Sequence, residues 1–151
     1  MLVTDCRKKM KIRNIQFILV FLLFISPVTA YCCTCERPTY DDAYYRNLIQ
    51  DSSLSIFAGR AKKKEKYADR GEWAITFKVA NSWKNAESSE LTIYTQDEGC
   101  GYGFLKWHRY FVVAKRIDGR LHVSLCSATG TLSDSKKHMN SLDKIVARKK
   151  I

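Results

Sequence analysis

The sequence predicts a mainly β protein, a five-stranded OB-type Greek-key barrel with a short helix before the strands and a second helix at the C-terminal end. Two observations favour this class. Five strand-like runs follow one another along the chain, and Asp118-Gly119 between the last two is typical of a tight hairpin turn. Because strand count does not separate a barrel from a sandwich, a β-sandwich remains the competing architecture.

Both helices are predicted from apolar residues at spacings of three and four. The first is expected at about Asp41 to Gln50, with Thr39 as its N-cap and Tyr45, Leu48 and Ile49 on one face. The C-terminal helix is predicted from Met139, Leu142, Ile145 and Val146, which share one face of it.

The strands are predicted from short runs rich in β-branched and aromatic residues. The five runs are Leu54–Ala61, Trp73–Trp83, Leu91–Thr95, Arg109–Arg116 and Leu121–Cys126. The second alternates, which places Trp73, Ile75, Phe77 and Val79 on one face. In the fifth run, alternation places Leu121, Val123 and Leu125 on one face.

A secretory signal peptide is predicted at residues 1–30. Basic residues at 7–13 precede an apolar run from Ile15 to Ile25, which is too short to span a bilayer, and Val28-Thr29-Ala30 supplies small residues before a cut after Ala30. A cut after Cys32 is the alternative, because it leaves an even number of cysteines. Residues 31–151 are then a single secreted, extracellular domain with no membrane attachment after cleavage.

The charge of the exported part favours acidic partners. Residues 1–30 carry five basic and one acidic side chain, so the formal charge of +11 falls to +7 without them. Export makes nucleic acid an unexpected partner and a heparan-type polysaccharide a reasonable one. The candidate polyanion-binding residues are Lys62, Lys63, Lys64, Lys136, Lys137, Lys149 and Lys150. The alternative is that the C-terminal lysines form a solvated helix face.

The cysteines after the signal are expected to be structural. Cys33 and Cys35 are expected to bond separate partners, Cys100 and Cys126, because two such bonds would fix an N-terminal segment that has no core of its own. A copper or zinc site is the weaker alternative, because the three histidines lack ligand spacing relative to the cysteines. No catalytic constellation is visible, so the chain is not expected to be an enzyme or to bind a cofactor of its own.

Several motifs together resemble a known family. They are Cys33-Thr34-Cys35, Cys100-Gly101-Tyr102, residues 119–127 (GRLHVSLCS), Ile56-Phe57-Ala58-Gly59 and Trp83-Lys84. Taken in their order along the chain, they resemble the N-terminal inhibitory domain of the tissue inhibitors of metalloproteinases, over nearly the whole exported chain. The broader netrin-like module family shares part of the cysteine pattern.

The resemblance implies disulfides Cys33–Cys100 and Cys35–Cys126. It also implies a function, in which the amine and carbonyl of an N-terminal Cys33 chelate the catalytic zinc of a target metalloendopeptidase. The zinc belongs to the protease. The chain would therefore have to begin at Cys33.

The resemblance further implies which residues contact the protease. Thr34 would enter the specificity pocket, followed by Cys35 and Glu36, while Glu98-Gly99-Cys100 would pack beside them. The alternative function is a non-inhibitory netrin-like module that binds extracellular polyanions or matrix partners.

Overall fold

The structure, a computed structural model, describes residues 33–36, 38–97 and 99–149. The predicted signal peptide and its two candidate cleavage sites lie outside these residues, as do Glu98 and Lys150. Among the described residues, no helix is both long enough and apolar enough to cross a membrane.

Two α-helices flank six strands in the described chain, and a short 3-10 turn (Ala68–Arg70) joins the first two strands. Helix α1 (Asp42–Gln50) comes first, and helix α2 (Lys136–Lys149) comes last. The strands between them are β1 (Leu54–Tyr67), β2 (Glu72–Lys84), β3 (Glu90–Gln96), β4 (Arg109–Ile117), β5 (Arg120–His122) and β6 (Gly130–Thr131).

The strands form a closed five-stranded barrel. They are hydrogen-bonded in the order β1-β2-β3-β5-β4, and β4 pairs in turn with β1, which closes the sheet. The pairing of β3 with β5 is parallel, and the other pairings are antiparallel. Strand β6 lies outside the ring and extends the sheet from β4. The mainly β prediction is confirmed, and the barrel closure removes the sandwich alternative.

Two apolar clusters hold the barrel and the helices together. The barrel interior contains side chains from all five strands, with Phe57, Phe77 and Val112 fully buried. The second cluster lies between the helices and the outer faces of β1 and β4, and it includes Tyr45, Ile56, Phe111, Val113 and Leu142. Strands β1 and β4 are therefore buried on both faces, which is why their sequences are apolar runs rather than alternating patterns.

The N-cap residue of helix α1 differs from the one that the sequence predicted. The Asp41 side chain accepts a hydrogen bond from the Tyr44 amide at 2.8 Å, so Asp41 and not Thr39 is the N-cap. At the other end, the Lys84 ammonium donates to the carbonyl oxygens of Leu48, Ile49 and Asp51. A cation at the last carbonyls of a helix complements its dipole.

The strand boundaries differ from the prediction at two places. Strand β1 continues to Tyr67, because its polar half pairs with the start of β2. Strand β5 ends at His122, so Cys126 lies in a turn, and Leu125 is 49% exposed and does not face the core. Strand β6 was not predicted, because two residues carry no periodicity. The predicted hairpin is present, with Asp118 and Gly119 both at positive φ.

His138 joins α2 to α1 and to the barrel. Its ring stacks on Phe111 with an interplanar angle of 8°, and its Nδ1 lies 2.8 Å from the Tyr45 hydroxyl. The Tyr40 ring lies edge-on to it at 4.6 Å. Burial, and secondarily the nearby Lys137 charge, lower the pKa of His138 below its usual 6.5.

Acidification is therefore expected to destabilise the fold through His138. The unfolded chain binds a proton near pH 6.5, whereas the folded chain binds it only at lower pH, so stability is full above pH 6.5 and decreases as the pH falls below it. Urea unfolding at pH 7.5 and 5.5 measures this loss. His138→Phe, which keeps a ring on Phe111, should show a smaller loss, and His108→Gln on an exposed loop should match the wild type. Equal pH dependence in all three proteins would contradict the assignment to His138.

Candidate functional site

Two disulfides fix the first described segment to the barrel. Cys33 is bonded to Cys100 with a Cα–Cα distance of 5.5 Å, and Cys35 is bonded to Cys126 with a Cα–Cα distance of 5.2 Å. This is the pairing that the resemblance implies. We call the resulting surface the N-terminal ridge, and it consists of Cys33–Glu36, Gly99–Gly101 and Ser124–Cys126.

Side chains alternate along the first segment of the ridge. Cys33 and Cys35 are half-buried and face the barrel through their disulfides, whereas Thr34 and Glu36 are exposed. The alternation is that of an extended chain, in which neighbouring side chains point to opposite sides. Thr34 is thus presented to solvent between two covalent anchors.

The second segment of the ridge is held against β3. The Tyr102 amide donates to the buried Thr95 hydroxyl at 2.7 Å. Gly99 has a φ of +70°, a conformation that glycine adopts without strain. A Cβ on Gly101 would lie 1.9 Å from the Gln96 carbonyl oxygen, so the chain approaches β3 at a distance that only glycine allows.

Asp97, just before the second segment of the ridge, is held in place by its own contacts. Its carboxylate accepts hydrogen bonds from the Trp73 indole and forms an ion pair with Lys66, with Nζ and Oδ2 2.5 Å apart. The hydrogen bonds from Lys66 and Trp73 hold the pKa of Asp97 below its usual range. The Asp97 amide also donates to the Gly71 carbonyl at 2.8 Å. The loop that carries Cys100 is therefore fixed on both sides.

The third segment of the ridge pairs with the second. The Leu125 amide donates to the Cys100 carbonyl at 2.7 Å, and Ser124 forms an isolated antiparallel bridge with Gly101. Leu125 is exposed at this edge, which sequence reasoning missed because it assumed that β5 continues to Cys126. Because Leu125 directly precedes Cys126, this exposed side chain lies next to the Cys35–Cys126 disulfide.

The predicted polyanion residues do not form one cluster at β1. Lys64 lies over the Trp73 ring, 4.3 Å from its centroid, and Lys63 pairs with Glu65 at 2.8 Å. Lys62 instead lines a separate groove. Lys136 and Lys137 are exposed in the first turn of α2, and the Lys149 side chain lies outside the described part of the chain.

The described residues contain no group of three or more His, Cys, Asp or Glu side chains that could hold a metal ion. All four cysteines of that part of the chain are disulfide-bonded, so none is a thiolate ligand. No protein-family model matches the sequence, and no curated protein matches it. The family resemblance therefore rests on the motifs, and those that contain the bonded cysteines meet in the N-terminal ridge.

Proposed function

We propose that the protein is a secreted, non-enzymatic inhibitor of zinc metalloendopeptidases that acts through Cys33. The observation that carries the proposal is the N-terminal ridge, in which Cys33 and Cys35 are covalently fixed and Thr34 between them is exposed. A rigid, exposed segment at Cys33 is what an inhibitor needs to occupy a protease active site.

Zinc chelation by Cys33 has a simple chemical basis. A catalytic zinc keeps one position for water; a neutral amine would displace that water, and the adjacent carbonyl oxygen would add a fifth ligand. An α-amino group has a pKa of about 7.7 to 8.0, so part of it is neutral at pH 7. In the full chain the nitrogen of Cys33 belongs to a peptide bond, and the proposal therefore requires cleavage after Cys32 or trimming to Cys33.

The other residues of the ridge position the chelating group. Thr34 would point into the specificity pocket, and Gly99 and Cys100 would lie alongside as the second half of the inhibitory surface. The disulfides hold these segments in place before binding, which lowers the entropy lost on association. Leu125 supplies an exposed apolar contact at the same edge.

Two further features support the proposal. The strand order β1-β2-β3-β5-β4 with closure onto β1, and the parallel β3–β5 pair, support the OB-type barrel that the resemblance implies. The two disulfides support export, because such bonds persist mainly in oxidising compartments. A non-inhibitory netrin-like module is the alternative, and the same experiment decides between them.

The proposal is tested with two purified forms of the protein, one beginning at Cys33 and one beginning at Tyr31. Each is titrated against a panel of zinc metalloendopeptidases with a fluorogenic peptide substrate. The form beginning at Cys33 is expected to inhibit at least about 100-fold more tightly, a difference of about 2.7 kcal/mol. Its inhibition should weaken below about pH 7, because the protonated amine cannot bind zinc.

Acetylation of the Cys33 amine provides the matched control, since it removes the lone pair and leaves the fold unchanged. Equal inhibition by the Tyr31 form would rule out chelation. No inhibition by the Cys33 form of any protease in the panel would favour the netrin-like binding module.

A further inference from the structure

A basic groove crosses the outer surface of the barrel. It encloses about 530 Å³ and is lined by β1, β2, the start of β4 with the loop before it, and the residue after β6. Its lining includes Arg60, Lys62, Lys78 and Arg109 together with Trp107. No acidic side chain lines it among the residues that the structure describes.

Three of these cations form one row across three neighbouring strands. Arg60 of β1 is the direct partner of Lys78 on β2 and of Arg109 on β4. Directly opposite residues of antiparallel strands point to the same face, so all three side chains share the groove side of the sheet. Like charges placed opposite each other are destabilising in the absence of a counter-charge.

Glu90 of β3 lies directly opposite Lys78 at one end of this row, but the two form no ion pair in the part of the chain described. The ion pairs of that part involve other basic residues, and Arg60, Lys62, Lys78 and Arg109 form none. An arrangement of converging, unpaired cations in a concave surface is suited to binding an anion with several charges.

Trp107 adds an apolar surface at the same place. Its side chain is 57% exposed, and its backbone has a φ of +70°, which is unfavourable for a bulky residue. The strained conformation is held by hydrogen bonds, because the Trp107 amide donates to the Ala61 carbonyl and the Ala61 amide donates to the His108 carbonyl. Backbone strain of this kind clusters at functional sites. Lys106 adds a further cation, 5.1 Å from the centroid of the indole.

We propose that this groove binds a sulfated oligosaccharide, with the Arg60, Lys78 and Arg109 row and Lys62 contacting sulfates and Trp107 packing against the face of a sugar ring. Guanidinium groups contact tetrahedral oxyanions with two hydrogen bonds each, which suits sulfate. An exposed indole between cations provides the flat apolar surface that a sugar ring needs. The proposal does not depend on protease inhibition.

The chemistry of the chain favours a sulfated sugar over other polyanions. The two disulfides indicate an oxidising compartment, where sulfated polysaccharides are common and nucleic acids are not. A membrane surface is flat, whereas these cations and the indole line a groove, which suits a single sugar chain better.

A heparin-derived octasaccharide and its fully desulfated form are the probes, titrated calorimetrically into the full chain at two salt concentrations. The groove variant is Arg60→Gln, Lys78→Gln and Arg109→Gln. Its control is Lys115→Gln, Arg116→Gln and Lys144→Gln, which removes the same charge from exposed positions outside the groove. We expect the groove variant to bind the octasaccharide at least about 30-fold more weakly. The slope of log affinity against log salt concentration should become shallower by about two. The control should bind within about threefold of wild type, because exposed charges beyond a Debye length are screened.

Trp107→Asn tests the sugar contact separately, because asparagine tolerates the left-handed backbone of this position. It should bind several-fold more weakly with an unchanged salt dependence. Thermal unfolding of every variant shows whether it is folded.

Equal losses in the groove and control variants would overturn the proposal, since the binding would then depend only on net charge. Undiminished binding by Trp107→Asn would overturn the role of the indole. Three other polyanions test the assignment to a sulfated sugar: a single-stranded oligonucleotide, inorganic polyphosphate and phosphatidylserine vesicles. The assignment would be overturned if one of them bound the wild type as tightly as the octasaccharide does and bound the groove variant equally weakly.

Discussion

Replacing Cys35 and Cys126 together by serine is expected to lower the free energy of unfolding by about 3 to 4 kcal/mol. The bond spans 91 residues of sequence, but Cys33–Cys100 remains in the variant. The additional loop that Cys35–Cys126 closes is therefore only about 30 residues long, the stretch between Cys100 and Cys126 together with the short link from Cys33 to Cys35. The chain-entropy relation at that length gives the stated loss.

Urea unfolding followed by tryptophan fluorescence measures the loss, and the matched variant replaces Cys33 and Cys100. That variant keeps the longer crosslink and should lose a similar amount. Removing both disulfides is expected to leave the chain largely unfolded, because the summed loss is comparable to the whole stability of a small domain, about 5 to 15 kcal/mol. A loss below about 1 kcal/mol for the first variant would show that the anchored segment contributes little to the fold.

Much of the barrel could be predicted from local sequence, because the signals there depend on neighbouring residues. Alternation in β2 correctly identified Ile75 and Phe77 as core residues, and Asp118-Gly119 marked its hairpin because both positions need positive φ. The end of β5 could not be predicted in the same way. Leu125 continues the alternation of Leu121 and Val123, yet the chain leaves the sheet at His122 to pair Leu125 with Cys100.

The basic groove could not be predicted because it depends on register between strands far apart in sequence. Arg60, Lys78 and Arg109 share no motif, and only the β1–β2 and β1–β4 pairings place them in one row. Lys62, Lys63 and Lys64 are the converse case, because they are adjacent in sequence but contact different groups. A bulge in β1 between Ala61 and Lys63 changes the alternation there, so sequence proximity did not produce a common surface.

Gly101→Ala is expected to destabilise the protein by about 3 kcal/mol, near the upper end for overpacking. The added Cβ would lie 1.9 Å from the Gln96 carbonyl oxygen and 2.8 Å from its carbon, so backbone rather than a flexible side chain must move. That movement would displace Cys100, which Gly101 follows directly, and with it the second segment of the N-terminal ridge. The form beginning at Cys33 should therefore also lose protease inhibition on this substitution.

Gly103→Ala is the matched control, two residues along the same loop. A Cβ there meets no heavy atom within 4 Å, and its φ is not in the left-handed region. The control should unfold within about 0.5 kcal/mol of wild type, as surface substitutions usually do. Equal stability of the two variants would contradict the close approach of Gly101 to β3. If Gly101→Ala loses both stability and protease inhibition while Gly103→Ala keeps both, the position of Cys100 depends on the packing of Gly101 against the end of β3.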